Sequence, residues 1–216
     1  GDCSEDHGPI GDWDLSLISD TGNMFDGYRS FNQDLSRWDV SEVANMAWMF
    51  HGAASFDQDL SQWDVSKVTD MSSMFFGAEI FDQNLSEWDV SQVTDMGGMF
   101  YEATSFNQDL SKWDVSQVVT MTAMFLNAAS FNHDLSKWNV SEVKSMMLMF
   151  GGATSFNQDL STWDVSRVVG MQRIFQRATS FNQTLCGVSW VYSDADKDDM
   201  FQGSLGSISK TVCLTS

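Results

Sequence analysis

Cations are scarce in this chain. Eleven Lys and Arg stand against 30 Asp and Glu, a formal charge of −19 over 216 residues. Phosphate recognition needs clustered basic side chains, so nucleic acid is excluded as a partner, and an anionic membrane surface is excluded for the same reason. No apolar run approaches the roughly 20 residues of a membrane helix, and no membrane insertion is expected. No signal peptide stands at Gly1, and the first residue is not Met, as expected of a processed or excised chain. Cysteine occurs only three times, at Cys3, Cys186 and Cys213. Cysteines confined to the ends of a chain suit extracellular caps better than a reduced cytosolic protein. A Cys186–Cys213 bridge would staple the C-terminal end, stabilising it by roughly 3 to 4 kcal/mol in the chain-entropy model. Cys3 is then the odd thiol, either free or an intermolecular link to another chain.

Tryptophan, by contrast, is regular. Trp13, Trp38, Trp63, Trp88, Trp113, Trp138 and Trp163 are spaced 25 residues apart, and each begins a near-copy of one segment. A fixed period of about 20 to 50 residues is the mark of a repeat architecture, in which no unit buries its apolar face alone and stacked neighbours supply the core. The chain therefore reads as an α/β repeat solenoid of about eight turns. Residues 1–12 form an N-terminal cap or extension, 13–187 seven repeats, and 188–216 a degenerate eighth repeat with a strand-like C-terminal cap. In the eighth, Trp190-Val191-Tyr192-Ser193 takes the W-D-V-S slot two residues late, and Met200-Phe201 with Gly203 recovers the ending. From Ile208 to Leu214 the residues alternate as in a strand, which either caps this chain's own last turn or pairs with another molecule.

Within one repeat, Trp63-Asp64-Val65 alternates as a short strand with Trp63 and Val65 inward and Asp64 outward. Ser66 is placed as a helix N-cap. Val68, Met71, Met74 and Phe75 then fall on one face of a short helix that Gly77 ends. Phe81 and Leu85 point back to the core around the polar loop Asp82-Gln83-Asn84. Stacking aligns like residues in columns about 4.8 Å apart: the tryptophans, Val40 and its counterparts, Met46 through Met171, Phe50 through Phe175, Phe31 through Phe181, and Leu35 through Leu185. Those columns account for 14 Met and 16 Phe without a cofactor, and none is expected.

The segment L-S-x-W-D-V-S-x-V, as in Leu60 to Val68, fits a leucine-rich repeat, a short parallel strand plus a short helix per 25-residue turn. More closely, F-N-Q-D-L-S-x-W-D-V-S-x-V-T-D-M-x-x-M-F, from Trp13 to about Leu185, resembles the BspA-like leucine-rich repeat surface proteins, whose repeat also occurs in mycoplasma surface lipoproteins and in protist and algal proteins. The resemblance implies a secreted or cell-surface solenoid for adhesion or protein interaction. It carries no catalytic motif. Thr21, Asn139 and Ile174 depart from the repeat at single positions.

Catalysis finds no footing in the residues, since His7, His51 and His133 hold unrelated positions and no Ser, Cys or His arrangement stands out. The outward column of Asp14, Asp39, Asp64, Asp89, Asp114 and Asp164 reads as a solvated ladder: calcium needs six to eight oxygens around one point, and each turn offers one carboxylate. Asp194-Ala195-Asp196-Lys197-Asp198 opens like an EF-hand loop but has Asp199 where Gly is needed and Leu205 where Glu belongs, so no metal site is expected. Trp48, Phe76, Tyr101, Leu126 and Leu148, large and apolar in variable slots of successive turns, are expected to form a contact stripe. Asn84, Asn139 and Asn182 stand in glycosylation sequons. The expected function is a non-enzymatic extracellular interaction protein, self-associating head to tail as a fibre subunit. The alternative is a module whose Asp and Ser columns bind calcium, a cationic surface or a glycan.

Overall fold

The computed structural model describes residues 8–213. Cys3 lies outside the described residues, as do the start of the N-terminal extension and the last three residues of the C-terminal cap. Successive repeats lie directly on one another. Parallel bridges join Asp20 to Asn45, Asn45 to Asp70, Asp70 to Asp95 and onward in steps of 25 to Gly170, which pairs with Asp196.

Regular elements are few among the described residues: a 3-10 turn at Ile10–Asp12, strand β1 (Thr184–Leu185), helix α1 (Val188–Val191) and strand β2 (Ser207–Ile208). The segment from Val68 to Phe75, expected to be a helix, is a run of tight turns, and the same holds in every repeat. Alternate N–H groups face different ways. Met71, Ser73, Phe75 and Gly77 donate to Asp95, Gly97, Met99 and Tyr101 of the next repeat at 2.7–3.0 Å, while Met74, Phe76 and Ala78 donate three residues back within their own. A helix would keep all these bonds to itself. The turn run instead satisfies backbone groups across the repeat contact, most of them on buried residues.

This geometry requires two left-handed residues per repeat, four apart: Ser73 at φ 55° and Gly77 at φ 67°, with equivalents from Asn23 and Gly27 to Asp199 and Gly203. Ser66 is no helix cap either; its N–H donates to Asp64 Oδ1 at 3.1 Å in an Asx turn. Trp63 and Val65 are buried and Asp64 is exposed, as the alternation predicts. The hydrogen-bonded ladder, however, lies along residues 69–77 and not along Trp63-Asp64-Val65.

The core is the predicted set of columns. Phe75 lies 5.6 Å from Phe50 and 5.7 Å from Phe100. Trp63 lies 6.3 Å from Trp38 and 6.5 Å from Trp88, with planes within 5° of parallel. These separations exceed the spacing of paired backbones because offset stacking is the preferred aromatic arrangement. A second Phe within each turn, such as Phe81 at 4.1 Å from Phe75, fills the remaining space.

Two polar clamps join turns. The Trp63 indole Nε1 donates to the Leu35 carbonyl at 3.0 Å, and the bond recurs from Trp38 onto Ile10 through Trp190 onto Leu160. The first residue of the polar loop is the second clamp: Asn32 Oδ1 accepts the Asp57 N–H and the Gln58 side-chain amide, both at 2.9 Å. That contact is why N-Q-D recurs, a role that the reading of these residues as a plain loop missed.

Candidate functional site

The expected contact stripe divides into two groups. Trp48 is 40% exposed, and Phe76, Tyr101, Leu126 and Leu148 are half-buried. Trp48 and Phe76 are nearly parallel at 6.5 Å, His51 packs against both at 4.7 and 4.6 Å, and Tyr101 meets Phe76 at 4.2 Å. His51 was not foreseen in this row, and its Nδ1 lies 2.6 Å from Asp26 Oδ1. Leu126 and Leu148 converge over Gly151, where a Cβ would fall 2.8 Å from one and 3.3 Å from the other. Trp48 and Leu148 are themselves left-handed residues of the turn run, and Phe76, Tyr101 and Leu126 each precede one, so the row is set by turn geometry and not by a helical face.

The Asp column faces solvent, and each carboxylate is occupied by its own repeat. Asp39 Oδ1 accepts the Ser41 hydroxyl at 2.6 Å and its N–H at 3.1 Å. Asp14, Asp64, Asp89, Asp114 and Asp164 accept the N–H two residues on in the same way. The serine hydroxyl first, then its N–H, holds Asp14, Asp39 and Asp64 below the ordinary carboxylate range. Among the described residues no three His, Cys, Asp or Glu are grouped to hold a metal ion. In the segment that opens like an EF-hand, Asp196 accepts from Asp198 N–H and from Gln172, and the Lys197 ammonium turns back onto the Ser193 carbonyl.

Asn84, Asn139 and Asn182 are all exposed. Asn84 and Asn139 accept the N–H of their own sequon serines, Ser86 and Ser141. A recess of about 960 Å³ lies between the seventh turn and α1, lined by Trp163, Val168, Val169, Val188 and Tyr192, with Asp164 and Asp194 as its only charged members. The Ser189 hydroxyl there is already shared between the Val165 N–H and the Trp163 carbonyl.

The ends of the stack are its most distinctive surfaces. In each inner turn the carbonyls of four alternate residues accept from the turn before, and four N–H groups donate to the turn after. Among the described residues the first turn leaves the carbonyls of Asp20, Gly22, Met24 and Asp26 without such donors, and the last leaves the N–H groups of Lys197, Asp199, Phe201 and Gly203 without such acceptors. Ile18, in the slot of the fully buried Val43, is 37% exposed, and Trp13, Met24 and Phe31 are only partly buried. Trp13 Nε1 is the one buried side-chain nitrogen or oxygen without a partner among the described residues. Its acceptor would belong to a turn before it.

At the other end, Cys186 and Cys213 are bonded, with Cα atoms 5.2 Å apart. β2 runs parallel to β1, pairing Ser207 with Thr184 and Ile208 with Leu185. The tail therefore caps this chain's own last turn, the first of the two arrangements open to it. The strand expected from Ile208 to Leu214 is, however, confined to Ser207–Ile208: the chain bends at Lys210 and Thr211, and Leu214 lies outside the described residues.

A family model described as "Mycoplasma protein of unknown function, DUF285" matches the chain twice, over residues 1–113 and 100–211. No curated protein and no solved structure matches it.

Proposed function

Because the chain belongs to the Mycoplasma protein family DUF285, we propose that it is a repeat solenoid of the BspA-like surface type, non-enzymatic and extracellular, whose copies associate head to tail into a fibre or surface layer. The observation that carries this reading is the complementarity of the ends. Four carbonyls at one end and four N–H groups at the other are the acceptor and donor sides of one repeating ladder, and a contact that does not close on itself propagates. The disulfide accords with an oxidising location. Light scattering and negative-stain microscopy on the purified chain, with and without reductant, test the reading: rods in multiples of one length are expected in at least one of the two conditions. A monodisperse monomer at high concentration in both conditions removes it.

The alternative, a module that binds calcium, a cationic surface or a glycan through the Asp and Ser columns, is less well supported, since each Asp already spends an oxygen on its own serine. Calorimetry with calcium and a glycan array are its test. A binding heat or an array signal lost on Asp64→Ala would favour it over self-association.

A further inference from the structure

The tail after Gly203 occupies the place that a second copy would need. In the Leu column, Ile10 lies one turn before Leu35, as shown by the Trp38 indole donating to the Ile10 carbonyl just as Trp63 donates to Leu35. The column ends at Leu185, and Ile208 is paired on it. A second copy continuing the stack would set its own Ile10 over Leu185, in the slot that Ile208 fills.

The indole clamp leads to the same place. Each Trp donates to the Leu carbonyl of the previous turn, so the one buried indole without an acceptor, Trp13 Nε1, would find in a preceding copy the carbonyl of Leu185. That carbonyl accepts the Ser209 N–H at 2.8 Å. The tail therefore supplies half of a ninth turn. It ties Leu205, Ser207, Ser209 and Cys213 to Phe181, Gln183, Leu185 and Cys186, and it leaves the other half of the end, the N–H groups from Lys197 to Gly203, open.

We infer that the tail from Leu205 to Cys213 is a detachable cap, held jointly by the Cys186–Cys213 disulfide and by its backbone bonds to Gln183 and Leu185, and that its release, by loss of either hold, opens the C-terminal end to the first turn of a second copy. The inference rests on the head-to-tail reading above and adds its control. A dithiol reductant delivers two electrons and two protons to the disulfide, leaving two thiols on the protein and a cyclic disulfide on the reductant. The freed tail then leaves Leu185, whose carbonyl takes the Trp13 indole of the incoming copy, while the open N–H groups meet Asp20, Gly22, Met24 and Asp26.

The test uses the full chain in a Cys3→Ser background, with mass read by light scattering and retention of the stack by tryptophan fluorescence. Three states are compared: oxidised; reduced with dithiothreitol; and oxidised with Ser207→Pro and Ser209→Pro, which remove two of the tail's N–H donors without touching the cysteines. The oxidised chain is expected at monomer mass and the two released forms at several times that mass, with Ile10→Arg returning both to monomer. Equal association in all three states overturns the cap and leaves self-association standing. Association of the released forms that ignores Ile10→Arg, as unfolded aggregates would, also overturns the cap. Monomers in every state with fluorescence unchanged overturn both.

Discussion

Asp95 is held between opposing demands. Its carboxyl is partly buried and stacked next to Asp70, and burial first, with the neighbouring charge, raises its pKa above the ordinary 3.8, although the Gly97 N–H donates to it at 2.8 Å. The folded chain therefore binds this proton more readily than the unfolded chain, and stability from this site is lost as pH rises from the ordinary value through the raised one. Asn45, in the same column, shows the alternative: it accepts the Ala47 N–H and donates to Asp20 Oδ2 at 3.1 Å. Asp95→Asn is expected to raise stability at neutral pH by up to about 1 kcal/mol after allowance for solvent screening. The gain should vanish in acid, as thermal melts at pH 7 and pH 3 would show. A second prediction concerns the indole clamp. Trp113→Phe removes the indole bond to the Leu85 carbonyl at 2.9 Å, leaving that carbonyl the Trp88 N–H at 3.1 Å as its one donor, and opens space beside Trp138, at a cost of roughly 2 kcal/mol in urea unfolding. A loss below about 1 kcal/mol would mean that packing alone joins the turns.

At the scale of one element, the turn run separates what a pattern of apolar residues specifies from what it does not. Val68, Met71, Met74 and Phe75 are all buried, so the inward set was legible. A helix and this run of turns bury the same set; the choice between them depends on where the backbone hydrogen bonds go. Gly77 and its equivalents carried a signal for the second left-handed position, read as a helix stop. The first had no consistent one, since Trp48, Ala123, Leu148 and Arg173 adopt φ of 56–63° there where other turns use Asn, Ser, Gly or Asp. A Cβ at Gly77 would meet nothing closer than 3.6 Å. Gly77→Ala should therefore cost only the left-handed penalty of about 1 kcal/mol, measurable by thermal melting. Glu102→Gly, at φ 57°, should be neutral to slightly stabilising, because relief of that penalty is offset by the backbone freedom of glycine in the unfolded chain.

Across the whole molecule, each repeat contacts chiefly its neighbours, so damage in one turn spreads only to those beside it. The column pairs Lys67–Glu42 at 2.6 Å and Lys112–Glu87 at 2.5 Å, each 25 residues apart and exposed, add little stability but keep the register. Joining copies sets Asp196 over Asp20, as Asp70 is set over Asp95, on a chain that carries −19. The reduced chain in the Cys3→Ser background is therefore expected to associate more strongly at 0.5 M than at 0.02 M salt, as screening lengths fall from about 20 Å to about 4 Å. Sedimentation velocity at the two ionic strengths checks it, and weaker association at high salt would point to an attraction between charges that the end faces do not display.

The 25-residue period, the inward columns, the outward aspartates and the Cys186–Cys213 pair were determined by the sequence itself, because burial and spacing are properties of residue type and order. Only the tertiary structure decided that the Met-Phe segment turns rather than coils, that His51 joins the aromatic row, that the N-Q-D loop clamps successive turns, and that the tail covers Leu185. Each of these depends on which backbone and amide groups find partners one turn away, and that pairing exists only once the repeats are stacked.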